Sequence, residues 1–173
     1  MAIEFFADIE TLGNLLIARL PAEASAQLPS RSMVYTEGTM NGIPVALPLE
    51  PDGYQGHFAL MDEAQITKAG AKPGEGAAFR LTPVEDWPQP DLPEAFQAAL
   101  EEANLLIWWD GLTVKAKWEW VRWIRAAQSP LTREKRIQVG ISKLQSGMRR
   151  PCCFNTASCT LPEISKSGRL KKV

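Results

Sequence analysis

Hydrophobic and polar residues alternate in short stretches along the first half of the chain, a period typical of strands. Ile3, Phe5 and Ala7 alternate with their neighbours, and residues 15–20 form a short apolar run, so residues 2–20 are predicted as two strands. Further strands are predicted for residues 33–39, 43–49, 57–61 and 77–84. Short strands at this spacing favour a small barrel over an open sheet.

Turn and capping residues mark the connections between these strands. Asn41-Gly42 is the strongest hairpin signal, because both central residues of a tight hairpin turn adopt a positive φ. Residues 21–28 are predicted to form one or two helical turns. Residues 62–69 are predicted to form a short helix with Asp62 as its N-cap.

In the second half of the chain, apolar residues recur at helical spacing. Three helices are predicted, over residues 94–103, 113–128 and 131–146. Asp91 is predicted to cap the first helix, with Glu94 completing a capping box. The second helix is apolar around most of its circumference, so we expect it to be buried on several sides. Ser129 and Pro130 begin the third helix, and Gly147 ends it.

These elements divide the sequence into four parts. They are a small β-barrel domain over residues 1–86, a proline-rich connector over 87–93, a helical module over 94–150, and an irregular, basic, cysteine-containing tail over 151–173. The predicted fold is therefore α+β, with a barrel of six or seven strands followed by a helical module that packs on it.

Formal charge is divided unevenly along the chain. Residues 1–111 hold five Lys and Arg and 17 Asp and Glu, a net charge of −12, whereas residues 112–173 hold 14 and three, a net charge of +11. This asymmetry indicates either an anionic partner for the basic half or electrostatic docking of the two halves on each other.

The composition indicates a compartment. No apolar run approaches the ~18 residues of a membrane span, and the N-terminus lacks the pattern of a secretory signal. The three clustered cysteines, Cys152, Cys153 and Cys159, are a poor disulfide framework. We therefore expect a cytoplasmic protein with no membrane span.

The basic residues of the helical part are the strongest functional lead. Arg133 and Arg136 lie one helical turn apart and could together hold a phosphate or a carboxylate. The alternative is a solvated face, or salt bridges to the acidic barrel. The candidate ligand-binding residues are Arg122, Arg125, Arg133, Arg136, Arg149, Arg150 and His57.

The single histidine and the tryptophans have a structural interpretation that is more common than a functional one. His57 lies in a predicted strand, and spacing assigns it no catalytic partner. Five of the six tryptophans lie in the helical part, where aromatic residues beside basic ones could stack on nucleobases. At helical spacing, packing in a core is favoured over that function.

Cys152 and Cys153 are candidate reactive thiols. Arg149 and Arg150 precede them, and nearby cations lower the pKa of a thiol. The alternatives are a soft-metal site that includes Cys159, or a segment that anchors the tail through apolar contacts. We predict free thiols, no metal, no cofactor and no catalytic residue.

Two sets of motifs together resemble one known family. The barrel part contains Gly38-Thr-Met-Asn-Gly-Ile-Pro44, Pro51-Asp-Gly53, Gly56-His57 and Lys72-Pro-Gly74. The helical part contains Trp120-Val-Arg-Trp-Ile124, Thr132-Arg133, Arg136-Ile137, Leu144 and Gly147. Over almost the whole chain, the sequence resembles the YdeI/OmpD-associated, bacteriocin-protection-like family with its small N-terminal barrel. Residues 149–155 and 159–162 resemble a longer branch of that family.

The resemblance implies a double-split β-barrel, loosely similar to barrels of transcription factors and antitoxins that bind DNA as dimers. It implies no catalytic residues, and the family's name implies a role in bacteriocin protection or envelope stress. Nucleic-acid binding therefore rests on analogy of fold alone.

We predict a non-enzymatic binding or regulatory module, whose anionic ligand contacts the basic helices or the groove between barrel and helices. One alternative is a small cysteine-dependent redox protein or enzyme that uses Cys152 and Cys153. A third is a nucleic-acid-binding protein. The sequence leaves the ligand, the oligomeric state and the pathway open.

Overall fold

A computed structural model describes residues 1–151 and 164–172 of the chain. These residues form two compact units. The barrel unit holds residues 1–86 and 164–172, and the helical unit holds residues 87–151. The three cysteines lie outside the described residues, so the predictions made for Cys152 and Cys153 stay predictions.

The barrel unit is built on a closed barrel of antiparallel strands. The strands are β1 (Ile3–Leu12), β2 (Leu15–Arg19), β3 (Val34–Met40), β4 (Ile43–Pro51), β5 (His57–Met61) and β6 (Gly76–Pro83). Their order around the barrel is β1-β2-β5-β4-β3-β6, and pairing of β6 with β1 closes it. The α+β class and the small barrel are therefore confirmed, with six strands in the barrel.

The alternating pattern of β1 explains how the barrel acquires its core. Ile3, Ala7 and Ile9 are buried, whereas Glu4 and Asp8 are exposed on the other face of the same strand. The core inside the barrel continues with Leu47, Leu49, Phe79 and Leu81 from strands farther along the chain. One face of each strand is therefore withdrawn from water, which is the main source of stability for a barrel of this size.

The predicted Asn41-Gly42 hairpin is confirmed. The two residues have φ of 50° and 80°, and they connect the Met40–Ile43 pair at the end of β3 and β4. The Asn41 side chain also accepts a hydrogen bond from the Ala78 N–H at 2.9 Å. This turn residue therefore attaches the hairpin to β6 as well.

Two short helices, α1 (Ala22–Ala26) and α2 (Glu63–Lys68), complete the connections of the barrel unit. The Asp62 side chain accepts a hydrogen bond from the Ala64 N–H at 3.0 Å, which confirms the predicted N-cap of α2.

Residues 165–170 form a small hairpin in the barrel unit. The sequence predicts no element there, because its hydrophobic residues show no strand or helical period. The strands of the hairpin are β7 (Ser165–Lys166) and β8 (Arg169–Leu170). The Leu170 N–H donates to the Asp52 carbonyl at 2.8 Å, and the side chains of Ile164 and Leu170 are fully buried. Burial of these two apolar side chains holds the hairpin in place.

The helical unit contains four helices. They are α3 (Glu94–Glu102), α4 (Leu106–Asp110), α5 (Val114–Arg125) and α6 (Pro130–Gln145). Ser129 caps α6 by accepting a hydrogen bond from the Thr132 N–H, and Gly147 ends it with a φ of 87°, as predicted. The predicted Asp91 cap of α3 is wrong, because Pro93 occupies the N-cap position and no side chain caps that helix.

Aromatic residues fill the core of the helical unit. Phe96 of α3 contacts Trp109 of α4 edge to face, with ring centroids 5.3 Å apart. Trp120 of α5 is fully buried and lies edge to face with Trp123. Trp109 and Trp120 therefore have the core-packing role that their helical spacing favours.

Candidate functional site

The predicted site residues fall into five places in the structure. Arg122 and Arg150 lie near Glu119 of α5, whereas Arg133 and Arg136 lie at the C-terminal end of the same helix. The remaining candidates, Arg125, Arg149 and His57, each have separate surroundings, and His57 belongs to the barrel unit.

Arg133 and Arg136 of α6 bind backbone carbonyl groups rather than facing each other as a clamp. Arg133 donates to the Ala127 oxygen at 3.1 Å, and Arg136 donates to the Trp123 oxygen at 2.7 Å. The last carbonyls of a helix lack partners within the helix and carry its negative dipole end, so cationic donors stabilise them. The proposed phosphate clamp stays a prediction, and it would compete with these bonds.

The proline-rich connector lies alongside α5 and belongs to the helical unit. Trp118 Nε1 donates to the Pro88 oxygen at 2.8 Å, and an Arg125 Nη donates to the Asp91 oxygen at 2.6 Å. Lys115 also lies over the ring of Trp87, 5.5 Å from its centroid. Arg125 therefore has a structural contact that explains its position without a ligand.

Among the charged residues of α5, Glu119 and Arg122 are buried. Both are less than a tenth exposed, and Arg150 Nε lies 3.5 Å from Glu119 Oε2. Burial raises the pKa of the Glu119 carboxyl, while Arg150, Arg122 and Lys115 act in the opposite direction. Burial also lowers the pKa of Lys115. The three cations therefore favour the charged form of Glu119, against the cost of its burial.

Arg149 has different surroundings, because it lines a cleft beside α4. The cleft has a volume of about 360 Å³ and is lined by Ile107, Trp108, Gly111, Leu112 and Arg149. The Arg149 guanidinium lies over the Trp108 ring, 5.7 Å from its centroid. The walls of the cleft are apolar except for the Arg149 guanidinium group. Ile107 is 89% exposed and Trp108 38% exposed, so α4 presents large apolar side chains to solvent.

A second groove of about 480 Å³ lies between α3 and α6. It is lined by Ala95, Pro130, Arg133, Glu134, Ile137 and Gln138. Arg133 is the only predicted site residue in this lining.

Comparison with known proteins identifies the helical unit. Residues 89–147, which include all four of its helices, match the family model described as Bacteriocin-protection, YdeI or OmpD-Associated. The helical unit is therefore similar to the YdeI/OmpD-associated family. A comparison with curated proteins gave no match.

The segment that matches the family model contains only some of the candidate residues. Arg122, Arg125, Arg133 and Arg136 lie within the matched segment. Arg149 and Arg150 follow it directly, so the cleft beside α4 combines residues of the matched segment with one residue beyond it.

His57 forms a buried pair that spacing did not reveal. Its Nδ1 lies 2.7 Å from the Ser25 hydroxyl and its Nε2 lies 3.1 Å from the Ser32 carbonyl oxygen. Since a carbonyl only accepts, Nε2 carries the proton and Nδ1 accepts from Ser25. Burial lowers the pKa of His57, which keeps the ring neutral. Ser25 and His57 are each 1% exposed, so a substrate does not reach this serine–histidine pair.

Among residues 1–151 and 164–172, no three His, Cys, Asp or Glu side chains are grouped so that they could hold a metal ion. No helix in the same part of the chain has the length and apolar character needed to cross a bilayer.

The sequence pointed to Arg149 but not to the residues that form its cleft. Ile107 and Trp108 belong to a short apolar run that carried no helical period, and α4 was not predicted. The available signal was this run of large apolar side chains shortly before Gly111, outside every predicted helix and strand.

Proposed function

We propose that the protein is a non-enzymatic binding module whose helical unit takes a small anionic ligand with an apolar body. The cleft beside α4 carries this proposal, because it places one guanidinium group at an otherwise apolar wall. Ligand pockets commonly combine apolar walls with a few polar groups that fix the orientation of the ligand.

The availability of Arg149 distinguishes it from the other candidate arginines. Arg125, Arg133 and Arg136 each donate to a backbone carbonyl of the helical unit. Among the described residues, the guanidinium group of Arg149 contacts the Trp108 ring and makes no hydrogen bond or ion pair. Its planar set of donors therefore suits a carboxylate or phosphate from outside the chain.

The apolar wall explains why we assign an apolar body to the ligand. Trp108 and Leu112 line the cleft, and Ile107 projects from the same helix into solvent. A ring or short alkyl chain placed on this wall would remove apolar surface from water on both sides. A bare inorganic anion would gain only the contact with Arg149.

The biological setting is part of the proposal. The family's description names bacteriocin protection. Recognition of a ligand without catalysis suits such a role, and we extend this role to the chain together with a part in envelope stress. We place the protein in the cytoplasm on its composition.

The site is tested by nuclear magnetic resonance of the full chain with three probes. Phenylacetate carries both an anion and an apolar body, acetate carries only the anion, and phenylacetamide is the neutral analogue. We expect phenylacetate to shift the signals of the Trp108 indole and the Gly111 amide, with weaker effects from the other two probes.

Two variants and one control locate the interaction. Arg149→Gln should reduce the phenylacetate shifts to the size of the phenylacetamide shifts, and Trp108→Ala should weaken the shifts from both probes. Arg80→Gln should leave them unchanged, because Arg80 pairs with Glu4 on an exposed face of the barrel. Phenylacetate shifts confined to other residues, or unchanged in Arg149→Gln, would contradict the proposed site.

A further inference from the structure

Asn41 is bonded to two neighbouring elements of the barrel unit through both ends of its side-chain amide. Its Oδ1 accepts from the Ala78 N–H of β6 at 2.9 Å, and its Nδ2 donates to the oxygen of Ala69, the C-cap of α2, at 3.1 Å. The Asn41 backbone N–H also donates to the Ala78 oxygen at 2.8 Å. Since a backbone N–H only donates and a carbonyl only accepts, these partners fix which end of the amide is nitrogen.

The residue after Asn41 makes the same amide chemically vulnerable. Gly42 has no Cβ beside its nitrogen, so that nitrogen is open to attack on the asparagine side chain. A Cβ built at Gly42 would meet no atom within 4 Å apart from its chain neighbours. Crowding around Gly42 therefore does not protect the pair, and the hydrogen bonds of Asn41 are left as the protection.

We propose that Asn41 is a deamidation site that the folded barrel keeps closed, and that its modification releases the β3–β4 hairpin from α2. In the reaction, the Gly42 nitrogen bonds to Asn41 Cγ while the Cγ–Nδ2 bond breaks. Nδ2 leaves as ammonia, with the proton that Gly42 loses. Water then adds across one of the two C–N bonds of the cyclic imide. Opening at Cγ gives aspartate, and opening at the Asn41 backbone carbonyl gives isoaspartate.

The hydrogen bonds of Asn41 close the site because the attack requires its side chain to turn. Rotation of Cγ toward the Gly42 nitrogen carries Oδ1 away from Ala78 and Nδ2 away from Ala69. The backbone cannot adjust instead, because the hairpin turn requires the positive φ of both Asn41 and Gly42. The reaction therefore proceeds from molecules in which the hairpin has opened locally, and its rate follows the open fraction.

The product cannot restore the contact with α2. In aspartate an oxygen replaces Nδ2, so that an acceptor faces the Ala69 carbonyl, which also only accepts. Isoaspartate lengthens the backbone by one carbon atom and disrupts the turn. Either product therefore leaves the tip of the hairpin detached from α2, and the modification records that the hairpin has opened.

Peptide mapping by mass spectrometry tests the closed site on the full chain, kept in mildly alkaline buffer with and without concentrated urea. We expect Asn41 to convert rapidly in urea and at least about tenfold more slowly in the folded chain, since a factor of ten corresponds to about 1.4 kcal/mol of local opening. Asn14 is the internal control, because it is exposed in the β1–β2 turn and Leu15 follows it. It should stay intact in both samples. Equal Asn41 rates in the two samples, or conversion of Asn14 as fast as that of Asn41 in urea, would overturn the proposal.

Asn41→Asp reproduces one product and tests the effect of the modification. We expect a lower midpoint of thermal unfolding than in the unaltered chain, because the Ala69 carbonyl loses its donor. Asn14→Asp introduces the same charge at the other hairpin turn and should leave the midpoint unchanged. If Asn41→Asp unfolds at the same temperature as Asn14→Asp, modification does not release the hairpin and that part of the proposal is wrong.

Discussion

The indole nitrogen of Trp120 donates a hydrogen bond to the backbone oxygen of Arg149, with 2.9 Å between the two atoms. Trp120 is fully buried in the helical unit, whereas Arg149 follows the end of α6 and lines the cleft beside α4. The hydrogen bond therefore fixes the backbone of the proposed binding residue to the core. Fixing a binding residue in this way lowers the entropy lost when a ligand is bound.

Replacing Trp120 and Trp118 separates stability from binding. Trp120→Phe removes the indole donor to the Arg149 carbonyl, and Trp118→Phe removes the indole donor to the Pro88 carbonyl. Each should lower the free energy of unfolding by about 1 kcal/mol or more, measured with urea. Only Trp120→Phe should also weaken phenylacetate binding, and equal binding by the two variants would contradict the positioning role.

The buried pair of His57 and Ser25 predicts a pH dependence of stability. Burial lowers the folded-state pKa of His57 below the unfolded value of 6.5, against the smaller upward effect of the Ser32 carbonyl. Below pH 6.5 the unfolded chain therefore binds more protons, and stability falls as the pH drops, by at most about 1.4 kcal/mol per pH unit.

The matched variant for this pH dependence is His57→Gln. Glutamine lacks a titratable group. The free energy of unfolding of His57→Gln should therefore change less between pH 7.5 and 5.5 than that of the unaltered chain. Urea unfolding at the two pH values measures the difference. Identical pH slopes for the two proteins would show that His57 is not the group responsible.

Two glycines should respond oppositely to the same substitution. A methyl group added at Gly38 of β3 would overlap the backbone of Arg80 on the neighbouring strand. One added at Gly140 of α6 would meet the nearest atom, on Trp120, at an ordinary 3.6 Å.

Gly140→Ala should raise the free energy of unfolding by about 0.5–1 kcal/mol, because alanine loses less backbone entropy in a helix. Gly38→Ala should lower it. Thermal and urea unfolding of both variants check the pair, and a destabilised Gly140→Ala would show that α6 cannot accept the added methyl group.

Thiol labelling distinguishes the binding account from the redox alternative. Cys152 and Cys153 follow Arg149 and Arg150 in sequence, which is the basis for a reactive thiol. The binding account expects both to react with a thiol reagent at neutral pH no faster than free cysteine does. A single cysteine that reacts faster than free cysteine, and slows in Arg150→Gln, would favour the redox alternative.

The barrel could be predicted from sequence because its signals are local. Alternation over Ile3 to Ile9 gives a strand with one buried face, and Asn41-Gly42 encodes its turn in two residues. The helix α4 could not be predicted, because its five residues are too few to display a helical period. Asn104, with a φ of 56°, marks the end of α3 instead.

The functions of individual polar residues could be predicted only in part. Arg136 binds the Trp123 carbonyl because α5 ends there and α6 turns back beside it, which depends on tertiary structure. The same is true of Ser25 and His57, which lie 32 residues apart in sequence. Residue type indicated which side chains could bind an anion, and the geometry separated Arg149 from those that bind carbonyls.

The ratio of the affinities for phenylacetate and phenylacetamide, measured by calorimetry on the full chain and on Arg149→Gln, tests the central claim most directly. A charge-assisted hydrogen bond contributes about 1.5–3 kcal/mol. The unaltered chain should therefore bind phenylacetate at least about tenfold more tightly than phenylacetamide. In Arg149→Gln the two affinities should become nearly equal, while phenylacetamide binding stays the same. A preference for phenylacetate that persists in Arg149→Gln, or is absent from the unaltered chain, would contradict the claim that Arg149 recognises an anion.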